Sequence, residues 1–150
     1  MKMNDSWKVE VSQGNSMEIP DYIVKFFHNN LVFIEKGEKL EKLADWRTLK
    51  SLQKKLNISI QSDTERERIL IPAVVEIGSI YYKGYHSKSK SFLKDLRHAF
   101  AHDYIIVENK EKVKIALPYK GKPKELKLVC YLYFSELKQI VNTLKKQHKK

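Results

Sequence analysis

Ser91-Phe-Leu-Lys-Asp-Leu-Arg-His-Ala-Phe-Ala-His102, followed by Asp103 and Tyr104, is the stretch on which the reading of this chain turns. Phe92, Leu93, Leu96, Ala99 and Phe100 recur at helical spacing, so one side of a helix is apolar. Polar groups gather toward its end, where an arginine, two histidines and a tyrosine fall within eight residues. The polar segment from Gly84 to Ser91 offers several caps before it. After Tyr104 the period changes from helical to alternating.

Upstream, the pattern stays helical. Residues 1–17 are irregular, with at most a short strand around Trp7 to Val11. Ile19-Pro20-Asp21 opens a helix, because proline suits the first helical position and an acid suits the first turn. Tyr22, Ile23, Phe26, Phe27, Leu31 and Ile34 continue it toward Gly37. Glu38 to Asn57 repeats the spacing with Leu40, Leu43, Trp46, Leu49, Leu52 and Leu56, and Asp45 can cap a shorter second piece. Ser62-Asp63-Thr64-Glu65 predicts a further helix to about Tyr82, which Pro72 should kink or split. Glu76, flanked by Val74, Val75 and Ile77, could be an inward-facing acid on that helix, but a solvated face is favoured, as single charges usually face water.

Downstream, Tyr104 to Glu108 and Lys112 to Leu117 read as strands around a turn at Asn109-Lys110-Glu111. Pro118 to Glu125 reads as a loop. Leu126, Leu128, Cys130, Leu132 and Phe134 alternate on one face of a third strand. Ser135 caps a final helix carrying Leu137, Ile140, Val141 and Leu144, and the Lys-rich tail at 145–150 should fray. The expectation is one domain over residues 1–150, mainly α: a helical bundle with a small antiparallel sheet inserted before the last helix.

Composition narrows the function classes. Hydrophobic residues make up 42% and charged residues 31%, which suits a folded chain rather than a disordered one. No apolar run approaches the roughly 18 residues a membrane span needs, and the start lacks the apolar core of a signal peptide. A cytoplasmic protein is expected. Lone Cys130 cannot close an internal disulfide, and its apolar setting implies a buried thiol. The net charge of +11 is uneven: residues 1–82 hold 12 basic and 12 acidic side chains, residues 83–150 hold 17 and 6. Such asymmetry suits a polyanion, most plausibly nucleic acid, or else a lysine-rich solubilising surface. Arg97 is the single arginine of the basic half and offers the planar fork that fits phosphate.

Helical geometry places His98 and His102 about 40° apart, on a shared face, with Arg97 about 140° from His102. These residues can flank a groove, or meet their counterparts across a two-fold interface. Histidine moves protons near neutral pH and arginine stabilises charge on a phosphate. Together they suit RNA cleavage without a metal, the 2′-hydroxyl being the nucleophile. Lys88, Lys90 and Lys94 lie where they can hold the RNA backbone. His98-x-x-x-His102 resembles half a zinc motif, but Ala99 stands where a hydrolase carries glutamate and no third ligand is evident. No metal and no cofactor are expected. A nucleophile triad, a phosphate-binding Gly-rich loop and a dinucleotide fingerprint are missing from the chain.

Leu96-Arg97-His98-Ala99-Phe100-Ala101-His102 resembles the R-x4-H signature helix of the HEPN superfamily. The resemblance covers about fourteen residues, and the order of helices around it is compatible. It implies a HEPN-like helical bundle and a homodimeric, metal-independent RNA endonuclease, as in toxins and anti-phage defence components. Arg97 and His102 would be catalytic, and His98 would take the position most often held by asparagine, orienting the site. Tyr104 sits where some HEPN toxins carry a tyrosine modified by a partner nucleotidyltransferase antitoxin; a core aromatic at the strand start is the simpler account. The alternative is a non-catalytic module of the same type that binds RNA or a partner protein.

Overall fold

The computed structural model describes residues 5–10, 19–31, 46–63, 66–85, 89–119 and 122–148. The first element is a short strand, β1 (Ser6–Lys8), followed by α1 (Asp21–Leu31) and α2 (Trp46–Leu56). Three strands come next: β2 (Ser59–Asp63), β3 (Val74–Glu76) and β4 (Ser79–Tyr85). Then follow α3 (Ser89–Ala101), β5 (Ile105–Glu108), β6 (Lys112–Tyr119), β7 (Lys122–Tyr133) and α4 (Phe134–His148). Five strands form one sheet in the order β2-β4-β7-β6-β5, and β1 pairs with β3 in a separate ribbon. Within the sheet only β2 and β4 are parallel.

The expected mainly helical bundle is therefore overturned: the fold is mixed α/β, built on a five-stranded sheet. The error lies in residues 58–85. Among the described residues of 62–82 there is no helix; they hold the end of β2, all of β3 and most of β4. Ile58, Ile60, Ile80 and Tyr82 all point into the main core, a period of two that β-branched and aromatic residues favour. Pro72 sits in a stretch without regular secondary structure rather than in a kinked helix. Glu76 is exposed, as expected, but on β3. At the β3–β4 turn Gly78 adopts a φ of +89°, which a side chain would strain; its N–H donates to the Tyr131 carbonyl at 2.7 Å.

The sheet is covered on both faces. Its main core joins α1 (Ile23, Phe26, Phe27), α2 (Leu52), α3 (Phe92, Leu96, Ala99) and α4 (Leu137, Ile140, Val141) to one side of the strands. On the other side, Trp7 of β1 and Val75 of β3 close over Ala116, Val129 and Tyr131. Cys130 is fully buried on the helical side, and burial pushes its thiol pKa up, so it stays a thiol.

Two segments differ from the expected pairing for local reasons. Pro118 to Glu125 is not all loop, since β6 runs to Tyr119 and β7 starts at Lys122. In the ladder Leu117 faces Leu128 but Pro118 faces Leu126, leaving Lys127 as an extra, bulged residue. The bulge breaks the expected alternation: Leu128, Cys130 and Leu132 face the helices, whereas Leu126 packs with the Trp7 cluster. Pro118 has no N–H for the ladder, which suits it to this irregularity. Phe134 belongs to α4, whose first turn is closed by Glu136 accepting from the Tyr133 N–H at 2.9 Å. The α4 helix extends to His148, into the tail expected to fray. The expected continuation of α1 past Leu31, the segment 38–45 with its Asp45 cap, and Lys88 lie outside the described residues.

Candidate functional site: the exposed end of helix α3

α3 follows the expected helix closely, and its side facing the sheet carries Phe92, Asp95, Leu96 and Ala99, all buried. Packing of Phe92 edge-on against Tyr82, with ring centroids 5.9 Å apart, holds one end. Phe100 stacks on Phe27 of α1 at 4.8 Å and holds the other.

The helix stops at the motif itself. Asp103 is left-handed, with φ +62°, its N–H donates to the Phe100 carbonyl at 3.3 Å, and that of Tyr104 to the Ala99 carbonyl at 2.8 Å. This pair of bonds is a Schellman closure, in which an aspartate takes the place usually given to glycine. His102 is thus the last helix-capping residue, and Tyr104 lies beyond it. Tyr104 therefore shares no helical face with Arg97. Tyr104 is half-buried against the main core and leads directly into β5.

His98 and His102 are both exposed, and their rings lie 4.3 Å apart between centroids, tilted by 48°. The shared face inferred from spacing is therefore present. Arg97 is half-buried on the adjoining side, Lys94 is exposed one turn before His98, and Lys90 lies in the first turn of α3. The arrangement brings two groups able to exchange protons together at the open end of the helix, with Arg97 beside them in the chain, whereas Lys90 lies at the opposite end of α3. No group of three or more His, Cys, Asp or Glu side chains placed to hold a metal occurs among the described residues.

Sequence reasoning did not place Asp95. Its carboxylate points inward and pairs with Nζ of Lys127 at 3.1 Å. The bulge in β7 makes this contact, because it turns Lys127 toward the helices. The second oxygen, Oδ2, is buried without a hydrogen-bond partner among the described residues. Burial raises the Asp95 pKa, an effect that nearby Lys127 and Lys94 only partly offset. The inward spacing of Phe92, Asp95, Leu96 and Ala99 was the signal that could have found it.

A second feature lies at the far end of β5. Asn109 and Lys110 are both left-handed, and the Glu111 N–H donates to the Glu108 carbonyl at 3.1 Å, giving a tight hairpin turn. The Tyr22 hydroxyl donates to the Lys110 carbonyl, and the Phe134 N–H donates to the Glu111 carbonyl at 2.7 Å. A groove of about 370 Å³ opens between this turn and the start of α4.

No helix among the described residues is long and apolar enough to cross a membrane. No known protein family, curated protein or solved structure matches the chain.

Proposed function

We propose that this protein is a metal-independent RNA endonuclease whose reacting groups are Arg97 and His102, with His98 beside them. The observation that carries the reading is the contact of the His98 and His102 rings at the exposed end of α3, next to Arg97. One imidazole takes the proton of a 2′-hydroxyl, and the freed oxygen attacks the adjacent phosphorus. The bond to the 5′-oxygen breaks and that oxygen receives a proton from a second acid, leaving a cyclic phosphate and a 5′-hydroxyl. Arg97 carries the charge that builds on the phosphate. The likeness to the HEPN signature supports this assignment through α3 alone, because the surrounding scaffold is a sheet rather than a bundle. A second copy of the chain, bringing another α3 end, would complete a cleft around the scissile phosphate. A role as a toxin or defence component, opposed by an antitoxin or nucleotidyltransferase, belongs to the same proposal.

A second reading is favoured by the openness of the site: both histidines are exposed, whereas reacting groups commonly sit in a cleft. On that reading the same surface binds RNA or a partner protein without cutting. The deciding experiment incubates purified protein with mixed cellular RNA in EDTA, comparing wild type with Arg97→Ala and His102→Ala. Cleavage by wild type that both substitutions abolish is the expected result. Equal cleavage by all three overturns the assigned roles, and binding without cleavage by wild type moves the conclusion to the second reading.

A further inference from the structure

The groove between the β5–β6 turn and α4 is distinct from the α3 site and is built unlike an ordinary surface hollow. Tyr22 lies on its rim with 51% of its surface exposed, far more than packing alone requires of an aromatic. Its ring meets Phe134 edge-on at 5.6 Å, and Phe134 in turn meets Phe26 at 5.4 Å. The hydroxyl bond to the Lys110 carbonyl fixes the ring from its other end. An aromatic face is thus held in a set orientation while open to solvent. Lys110 and Lys138, both exposed, line the same groove, along with the carboxylate of Glu111.

From this geometry we infer that the groove is a subsite for one nucleotide of a single-stranded RNA, whose base stacks on Tyr22. The inference rests on the RNA reading above and adds a place to it. Lys110 and Lys138 supply two cations for the flanking phosphates, and Glu111 offers an acceptor for a base amino group. A flat aromatic beside lysines matches the chemistry of a nucleotide, each of whose bases has a π face whatever its identity. Position supports the same occupant. β5 is an edge strand, with the α3 end at its start and the groove at its finish. Its four residues span roughly 14 Å at the usual rise, a distance that a few nucleotides cover. α1 joins the two places, since Tyr22 reaches the groove while Phe27 stacks on Phe100 of α3.

The test measures binding of two uncleavable probes, a 2′-O-methyl adenosine hexamer and the same backbone without bases. Tyr22→Leu keeps an apolar contact for Phe134 but removes the flat ring, and Tyr22→Phe keeps the ring but loses the hydroxyl. The expected result is that Tyr22→Leu weakens the base-containing hexamer about tenfold and leaves the abasic one unchanged. Tyr22→Phe should bind both within about twofold of wild type, on the same stacking argument. Lys138→Ala should weaken both probes and reduce the salt slope by about one. An unchanged affinity for Tyr22→Leu, or an equal loss on both probes, overturns the subsite alone. If wild type binds neither hexamer, the RNA reading falls and the subsite with it.

Discussion

Residues two positions apart on α3 occupy opposite surroundings. Leu96 is fully buried among aromatic and aliphatic side chains, whereas His98, two positions on, is exposed beside His102. The inward side is anchored at both ends by Phe92 against Tyr82 and Phe100 against Phe27. Its outward side carries Lys94, Arg97, His98 and His102, which reach solvent to differing degrees. A close-packed interior resists changes of volume, while a solvated surface resists little. The packing that anchors α3 and the groups of the proposed site therefore occupy separate sides of one helix and should respond to substitution independently.

The sharpest test of that separation is His102→Ala. With the proton-transfer role proposed for His102, its removal should slow RNA cleavage roughly a hundredfold or more. The urea unfolding midpoint should correspond to a stability within about 0.5 kcal/mol of wild type. A variant that loses both activity and stability would show that the outward side is structural.

The converse change is Leu96→Ala, which leaves a cavity against the sheet. A loss of about 2–5 kcal/mol is expected from urea unfolding, and a loss well below that range would mean α3 is not anchored as described.

Asp95 sits between these extremes, polar but on the inward side. Its pKa is raised in the folded state from the ordinary value of 3.8, so folding takes up a proton. The stability this contributes is fully present below the ordinary carboxylate pKa and is lost as pH rises through the raised one. Asp95→Asn should flatten that part of the stability profile, read by thermal melts across the acid range. A profile unchanged by the substitution would deny Asp95 its buried position.

The smallest effect belongs to the sheet interior. Cys130 should resist alkylation by iodoacetamide in the native protein and react once urea unfolds it, because only the thiolate attacks and burial disfavours it. Rapid native-state labelling would place β7 nearer the surface.

Local pattern made α1, the segment from Trp46, α3, the β5–β6 hairpin and α4 legible. Each buries residues at its own period, and each begins or ends on a recognisable turn or cap. Residues 58–85 were not legible for a physical reason. Ser62-Asp63-Thr64-Glu65 has the residue types of a helix start, but Asp63 ends β2 and accepts from the Ile69 N–H at 2.8 Å. The parallel pairing of β2 with β4 joins segments whose register only the tertiary structure specifies. At the site, spacing alone correctly brought His98 to His102. It could not place Lys127 against Asp95, since that contact depends on a bulge three elements further along the chain. Nor could it assemble the groove, whose walls come from α1, a hairpin turn and α4.

The bulge at Lys127 bears on which changes of length this chain can absorb. A strand that is apolar on both faces carries two interleaved repeats, and losing one residue ordinarily inverts everything on one side of the cut. Deletion of Val129 would do this, turning leucines meant for the helices toward the Trp7 cluster. Deletion of Lys127 would not, because it is the residue that puts β7 out of step with β6. The shortened strand would stay in phase on both faces, at the cost of the cation that faces Asp95.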